Sequence, residues 1–232
     1  MGRLSILLLL VVVLASCSKK SDSVSAKPHF KVYNKGIDGN TVSNLINRLD
    51  KAIISAKPDL VIIMIGTNDV GRKLPFDQYK ADLAFVIKST KDIGADVILM
   101  SPPPRGTDII SFPAYAYNDK TDEIVKIDSA LSKELGCFYI DINKLYKEAG
   151  TPNPTATSLI NNAANNPDRP DGVHPTAEGM LFIASKVFDL IKSNGIGAKN
   201  ANISIVCFGD SITWGMGSPL SYPSQLEILL NK

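Results

Sequence analysis

The sequence predicts an α/β fold in which a parallel β-sheet is covered by helices on both faces. Continuous apolar runs alternate with segments whose apolar residues have helical spacing. Such runs are typical of strands that are buried on both faces, and their alternation with helices is typical of parallel sheets. The chain has 232 residues, of which 44% are hydrophobic and 21% are charged. It is therefore long enough for one domain with a sizeable core, without an internal repeat or a second domain.

Five short apolar runs predict the strands, at residues 30–33, 59–65, 95–100, 137–141 and 203–208. The first helix is predicted from a cap at Asn40 or Thr41 to about residue 55. Pro75 fits the first turn of a helix over 75–91. Further helices are predicted over 119–135, over 175–193 and from about residue 222.

The loops between these elements are also informative. Three consecutive prolines at 102–104 exclude regular structure. Residues 150–172 form a long loop rich in Pro and Asn, and loops of this length often carry function. We expect the loops 102–118 and 150–170 to determine substrate specificity.

The first residues have the pattern of a secretory signal. Arg3 precedes an apolar run over 4–14, which is followed by Ala15, Ser16 and Cys17. The run is too short to span a bilayer comfortably. Its end resembles the bacterial lipoprotein box, in which the cysteine is lipidated and becomes the mature N-terminus. The alternative is an ordinary signal peptide with an unrelated cysteine.

The lipoprotein interpretation divides the chain into three parts. Residues 1–17 are the signal with the lipidated Cys17, residues 18–29 are a polar tether, and residues 30–232 are a single domain. The expected location is the bacterial cell envelope, with a membrane anchor at Cys17. The formal net charge is +2 and the sequence has no long Lys/Arg run, so no nucleic-acid partner is predicted.

A serine near the end of the chain has the setting of a nucleophile. Ser211 lies in Phe-Gly-Asp-Ser-Ile-Thr-Trp-Gly (208–215), directly after a predicted strand. A tight turn after a strand holds a nucleophile out of the sheet. The chain has two histidines; His29 falls in the tether, which leaves His174 as the base. Asp171 lies three residues earlier, where its carboxylate can orient the imidazole of His174.

Acyl transfer also needs donors for an oxyanion. Asn68, in Gly-Thr-Asn-Asp after the strand over 59–65, offers a side-chain amide. Gly39, in Gly-Ile-Asp-Gly-Asn-Thr after the first strand, offers a backbone N–H. The N–H of Ser211 is a third donor. Taken alone, the two upstream segments also fit an ordinary turn and a helix cap.

Together these motifs, with Asp-Gly-Val-His-Pro (171–175), resemble the SGNH or GDSL-type hydrolase family over residues 30–232. The resemblance implies hallmark residues Ser211, Gly39, Asn68 and His174, with Asp171 completing a triad. It excludes the α/β-hydrolase elbow, because Gly-Asp-Ser-Ile-Thr lacks the second glycine.

The resemblance further implies a flavodoxin-like three-layer α/β/α sandwich. With the strand over 203–208 counted as the first, the implied strand order is 2-1-3-4-5, and ligands bind at the carboxyl ends beside the first strand. This order separates Cys137 from Cys207, so we expect two buried thiols. In the family the serine block comes first, whereas here it comes last. The domain is therefore predicted to be circularly permuted.

The function predicted from the resemblance is that of an extracytoplasmic serine esterase without a metal or other cofactor. The second block, Tyr-Asn-Lys-Gly-Ile-Asp-Gly-Asn-Thr (33–41), is similar to that of carbohydrate O-acetylesterases. The expected substrate is thus an acetylated polysaccharide or oligosaccharide such as xylan. One alternative is a lipid-directed lysophospholipase, a thioesterase or an arylesterase of the same family. A second is a non-catalytic carbohydrate-binding lipoprotein.

Overall fold

A sheet of five parallel strands forms the centre of the computed structural model, which describes residues 28–106, 117–197 and 200–232. The strands are β1 (His29–Gly36), β2 (Leu60–Met64), β3 (Asp96–Met100), β4 (Phe138–Ile140) and β5 (Asn202–Gly209). Their order is β1-β5-β2-β3-β4. This confirms the predicted parallel sheet and the order 2-1-3-4-5 when β5 is counted as the first strand.

Eight α-helices connect and cover the strands in the described part of the chain. They are α1 (Val42–Leu49), α2 (Thr67–Gly71), α3 (Phe76–Asp92), α4 (Asn118–Leu135), α5 (Ile142–Glu148), α6 (Ala177–Asn194), α7 (Ser211–Trp214) and α8 (Tyr222–Leu230). The long helices begin and end within about two residues of the predicted positions. The first one differs, because α1 continues as a π-helical turn, Asp50–Ile54, where one uninterrupted α-helix was expected.

The core has two halves, one on each face of the sheet. Strand β2 is buried along its whole length. Its residues Leu60, Ile62 and Met64 pack with α6 and α8, while Val61 and Ile63 pack with α1 and α3. The three layers of the predicted sandwich follow from this alternation, because each strand residue must bury its side chain against one of the two helical layers.

The edge strand β1 is longer than its apolar run. It pairs in parallel with β5 over eight positions, from His29 with Asn202 to Gly36 with Gly209. Only two of its eight residues are buried, so a hydrophobic run could not reveal its full length. His29, which the sequence placed in the tether, is the first residue of this strand.

The two ends of the described domain are in contact. The Asn231 side chain accepts a hydrogen bond from the Phe30 backbone N–H at 2.9 Å and donates to the Phe30 carbonyl oxygen at 2.8 Å. Helix α8 runs beside β1, and the Glu227 carboxylate accepts from Lys31 at 3.0 Å. The C-terminal end of α8 therefore lies next to the start of β1.

The two cysteines within the described ranges are free thiols, Cys207 buried and Cys137 half-buried. The prediction that the Cys137 thiol is buried was therefore wrong, because this residue precedes β4 and lies outside the sheet. No helix in ranges 28–106, 117–197 and 200–232 is both long and apolar enough to cross a membrane. Cys17 and the rest of the predicted signal and tether up to residue 27 lie outside the described residues, as do residues 107–116.

Candidate active site

The turn that carries Ser211 lies directly on the ends of the central strands. Strand β5 ends at Gly209, and Ser211 is the first residue of the one-turn helix α7. The Asp210 carboxylate caps this helix by accepting the Ile212 N–H at 2.9 Å. A Cβ atom at Gly209 would lie 2.3 Å from the Met64 carbonyl oxygen, and one at Gly36 would lie 2.1 Å from the Trp214 nitrogen. Both positions therefore require glycine, because a side chain would meet the backbone of α7 at Gly36 and the backbone of β2 at Gly209.

Ser211, His174 and Asp171 form a continuous hydrogen-bonded chain. His174 Nε2 lies 3.0 Å from Ser211 Oγ, and His174 Nδ1 lies 2.7 Å from Asp171 Oδ2. Asp171 Oδ1 also accepts the backbone N–H groups of Val173 and His174, each at 2.9 Å. The aspartate thus fixes both the loop before α6 and the imidazole ring. The structure brings together the three residues that the sequence proposed as a triad.

The Asp171 carboxylate is held in its ionised form. Burial alone would raise its pKa, but the hydrogen bonds from the His174 ring and from the two backbone N–H groups outweigh burial, so its pKa is lowered. Arg169 Nε adds a contact of 3.2 Å to Asp171 Oδ2. An ionised carboxylate at Nδ1 favours the tautomer in which Nε2 can accept a proton from serine.

The predicted oxyanion donors lie in two loops that are bonded to each other. Asn68, in the first turn of α2, donates from Nδ2 to the Asn40 carbonyl oxygen at 2.9 Å. Gly39 has a left-handed φ of 72° and its carbonyl accepts Arg72 Nη2 at 2.8 Å. Within the described ranges, the backbone N–H groups of Gly39 and Ser211 donate no hydrogen bond. Neither N–H group is therefore used by another acceptor among the described residues.

These groups surround a cavity of about 550 Å³. Ser211, His174 and Asn68 line it, and the loop of Gly39 reaches it through Asp38. Gly39 itself does not line the cavity. Three arginines that lie outside the sequence motifs of the predicted site also line it: Arg72, Arg105 and Arg169.

Arg105 is the most buried of these arginines, with 5% of its surface exposed. Its Nη2 donates to the Thr67 carbonyl oxygen at 2.5 Å, and its guanidinium lies 5.0 Å from the centre of the Tyr117 ring. The Asn118 side chain bonds both the N–H and the carbonyl of Arg105, at 2.8 and 3.0 Å. Burial lowers the pKa of Arg105. Arg105 thus fixes the residue directly before Asn68.

A second arginine, Arg48, forms hydrogen bonds with the Asn40 loop and with the end of β5. Arg48 donates to Asn40 Oδ1 and to the Gly209 carbonyl oxygen, each at 2.8 Å, and its guanidinium lies 4.3 Å from the centre of the Phe208 ring. Burial lowers the pKa of Arg48 to about 10. Because this one side chain joins the Asn40 loop to the end of β5, it couples the donor loop to the strand that carries Ser211.

Two buried carboxyl groups lie behind the site. Burial raises the pKa of Asp210 to about 7 and that of Asp69 to about 6. The Asp69 carboxylate adds to the rise at Asp210, and the Asp82 carboxylate adds to the rise at Asp69. In each group Oδ2 is buried without a hydrogen-bond partner among the described residues, while Oδ1 accepts a backbone N–H. At neutral pH the ionisation of Asp210 therefore works against folding.

Substitution Asp210→Asn should change how stability depends on pH. The pKa of Asp210 in the folded protein lies above the ordinary value of about 4, so the folded state binds the proton more tightly and the free energy of unfolding falls as pH rises from about 4 to 7. Asparagine keeps the Oδ1 acceptor and does not ionise. We expect equal stabilities near pH 4 and a variant more stable by on the order of 2–4 kcal/mol at pH 8.

Urea unfolding of the two proteins at several pH values between 4 and 8 measures this difference. Asp168→Asn, at an exposed position in the loop before Asp171, is the matched control and should leave the pH profile unchanged. Parallel profiles for the wild type and Asp210→Asn would contradict the account of the buried carboxyl.

Comparison with known proteins places the chain in a family. Residues 18–181 match the model of the GDSL-like lipase/acylhydrolase family. The chain belongs to this family. The matched segment contains Gly39, Asn68, Asp171 and His174, and it ends before Ser211.

Three curated relatives are esterases. The chain is 32% identical over 166 residues to an acetylxylan esterase of Geobacillus stearothermophilus, covering 66% of this chain and 68% of that one. It is 25% identical over 190 residues to an acetylxylan esterase of Xylanibacter ruminicola, covering 69% of this chain and 35% of that one. It is 37% identical over 78 residues to an arylesterase of Vibrio mimicus, covering 32% of this chain and 39% of that one.

Solved structures of an acetylxylan esterase also match this chain. A catalytic mutant of the Geobacillus acetylxylan esterase Axe2, with an aspartate replaced by alanine, superposes with a TM-score of 0.57 at 28% identity, covering 69% of this chain and 72% of that one. A second catalytic mutant, with a serine replaced by alanine, superposes with a TM-score of 0.55 at 27% identity, covering 68% of this chain and 70% of that one. This protein is a carboxylic ester hydrolase of the GDSL family, which confirms the family and the enzyme class predicted from the motifs.

Proposed function

We propose that this esterase removes acetyl groups from a carbohydrate such as acetylated xylan, with Ser211 as the nucleophile. The observation that carries the proposal is the chain of hydrogen bonds from Asp171 through His174 to Ser211 at the edge of an open cavity. Two of the three curated relatives are acetylxylan esterases, which supports acetate as the acyl group and a carbohydrate as the alcohol.

The mechanism follows from the order of these three groups. Ser211 Oγ attacks the ester carbonyl while His174 Nε2 takes its proton, and Asp171 stabilises the resulting imidazolium. The imidazolium then gives its proton to the oxygen of the leaving sugar, so that the acetyl group stays on Ser211. Water attacks this acyl-enzyme, again with His174 as the base. The imidazolium returns this proton to Ser211 Oγ as acetate leaves.

The oxyanion of each tetrahedral intermediate is stabilised by three donors. These are the backbone N–H groups of Ser211 and Gly39 and the side-chain amide of Asn68. The two backbone N–H groups make no other hydrogen bond within the described ranges, which supports this assignment. Asn68 Nδ2 donates one hydrogen bond to the Asn40 carbonyl oxygen, and its second hydrogen is the one assigned to the oxyanion. Arg105 and Arg48 act as positioning residues, because they fix the loops that carry these donors.

An arylesterase is the second candidate, and the Vibrio mimicus relative favours it. The two candidates differ in the alcohol and in the acyl chain. The test is a panel of acetylated xylo-oligosaccharides and of nitrophenyl esters from acetate to octanoate. The proposal predicts release of acetate from the oligosaccharides and a steep fall in kcat/KM with chain length. Preference for octanoate, without release of acetate from any glycan, would replace the proposal with a lipid- or aryl-directed enzyme.

The late position of Ser211 is explained by circular permutation of the domain. In Axe2 the mutated catalytic serine stands earlier in the chain than the mutated aspartate, whereas here Ser211 follows Asp171. The contact of Asn231 with Phe30 supports this proposal, because it brings together the two ends that the usual order would join.

A rearranged chain tests the permutation. It starts at Asn200, continues through Lys232, crosses a short Gly/Ser linker to Pro28 and ends at Gly195. We expect it to fold and to retain kcat/KM within roughly tenfold of the wild type, because the new join and the new ends lie at the surface. A chain with new ends between Ile62 and Ile63, inside buried β2, is the control and should not fold. Failure of the rearranged chain to fold would contradict the permutation.

A lipid anchor at Cys17 is proposed on the sequence pattern alone. Substitution Cys17→Ser should abolish labelling of the protein by a radioactive fatty acid in a bacterial host and shift it from the membrane fraction to the soluble fraction. The matched control Cys137→Ser should leave labelling and fractionation unchanged. Equal labelling of the Cys17→Ser variant and the wild type would contradict the anchor.

A further inference from the structure

A second cavity lies next to the catalytic one and contains an exposed tryptophan. Its volume is about 620 Å³, and its lining includes Trp214, Asn34, Ser218, Ser224 and Arg169. Arg169 also lines the catalytic cavity. The two cavities therefore adjoin at Arg169.

Trp214 is the single tryptophan of the chain. It is 54% exposed, although large aromatic side chains are normally among the most buried in a protein of this size. It lies three residues after Ser211 and is the last residue of helix α7.

The backbone beneath Trp214 is held in place from two sides. Its carbonyl oxygen accepts a hydrogen bond from Asn34 Nδ2 at 3.2 Å, and its nitrogen packs so closely on Gly36 that no side chain fits there. The next residue, Gly215, has a left-handed φ of 101° and ends the helix. The indole therefore projects from a fixed backbone, which limits the entropy lost when a ligand stacks on it.

The other groups of this cavity are suited to a sugar. Ser218, Ser224 and Asn34 line it. A serine hydroxyl that donates one hydrogen bond can still accept another, and Asn34, whose Nδ2 donates to the Trp214 carbonyl oxygen and to Ser221 Oγ, keeps acceptor capacity on Oδ1. Ser218 Oγ donates to the Leu220 carbonyl oxygen at 2.8 Å, which leaves it as an acceptor. An apolar ring face beside hydroxyl and amide groups matches a pyranose, which has an apolar C–H face and a rim of hydroxyl groups.

We propose that the cavity at Trp214 is a glycan subsite that binds a sugar unit next to the one that carries the ester, with its ring stacked on the indole. This inference rests on the proposed carbohydrate substrate and deepens it. It assigns Trp214 to recognition of the chain and Ser211 to the chemistry. Trp214 would then contribute to long substrates and not to small acetate esters, which occupy the catalytic cavity alone.

The first experiment compares substrates of two lengths. Trp214→Ala should lower kcat/KM for acetylated xylo-oligosaccharides roughly tenfold, mainly through KM, and leave kcat/KM for nitrophenyl acetate within about twofold. Trp214→Tyr should restore most of the loss, since it keeps an aromatic face. The control Phe85→Ala removes an aromatic of similar exposure, 52%, on α3 and should alter neither activity. Equal losses on both substrates, or no loss on either, would overturn the subsite.

The second experiment does not depend on turnover. In the Ser211→Ala protein every tryptophan signal comes from Trp214, so titration with deacetylated xylo-oligosaccharide should shift its fluorescence saturably, with a larger effect for longer oligomers. A signal that stays unchanged up to the solubility limit would overturn the subsite. If acetylated glycans are not hydrolysed at all but the fluorescence saturates, the subsite stands and the acetylesterase proposal fails.

Discussion

Substitution Ser211→Ala is expected to lower kcat for ester hydrolysis by roughly 10⁴-fold or more, with the fold intact. The hydroxyl is the only group at this position that can form the acyl-enzyme, and His174 Nε2 is its hydrogen-bond partner at 3.0 Å. Without Oγ, the site keeps the oxyanion donors and the imidazole, so the residual rate should be that of water attack assisted by these groups. The measurement is the initial rate of nitrophenyl acetate hydrolysis at saturating substrate.

The control for this prediction is Ser185→Ala. Ser185 lies on α6, and its hydroxyl donates only to the Leu181 carbonyl oxygen, at 2.9 Å. Its loss should leave the rate unchanged. Circular dichroism and thermal melting of both variants verify the fold. A Ser211→Ala protein that is folded and hydrolyses esters at near the wild-type rate would contradict the role of Ser211.

His174→Ala is expected to cause the other large loss, again roughly 10⁴-fold or more in kcat. Its backbone bonds, from the Asn161 N–H to the His174 carbonyl and from the His174 N–H to Asp171, remain after the substitution. The loop before α6 therefore keeps its shape. The loss in kcat then measures what the imidazole contributes as a base.

Asp171→Asn should also lower kcat, but the loss should be smaller than that of His174→Ala by a factor of about ten to a hundred. The amide oxygen can still accept the backbone N–H groups of Val173 and His174, but its NH₂ group then faces Nδ1 and favours the tautomer with a proton on Nε2. In that tautomer the imidazole cannot accept the serine proton. Asp168→Asn, in the same loop, is the control and should retain full activity. A loss for Asp171→Asn no larger than that of the control would contradict the triad.

The parts of the site that could be predicted from the sequence are those fixed by local pattern. Apolar runs identify strands that are buried on both faces, as in β2, and the proposed site residues follow such strands or precede a helix. Ser211 and Asn68 follow strands, and His174 lies two residues before the Thr176 cap of α6. Because parallel strands end at one edge of the sheet, the pattern already predicted that these residues meet.

The parts that could not be predicted depend on contacts between distant residues. Arg105 bonds Thr67, 38 residues away, and Arg48 bonds Gly209, 161 residues away. In sequence, a buried arginine that holds a loop has the same appearance as an exposed one. Helix α5 was missed for a related reason: it has seven residues, too few to show a helical repeat, and its start is set by the Asp141 side chain, which accepts the Lys144 N–H at 2.9 Å.

The proposed reaction transfers an acetyl group to Ser211 and then to water. The most direct test is rapid quenching of the enzyme in acid during turnover of nitrophenyl acetate, followed by peptide mass spectrometry. We expect one acetyl group on the peptide that contains Ser211 and no adduct in Ser211→Ala. An acetyl group on a different residue, with Ser211 unmodified during full turnover, would contradict the proposed reaction.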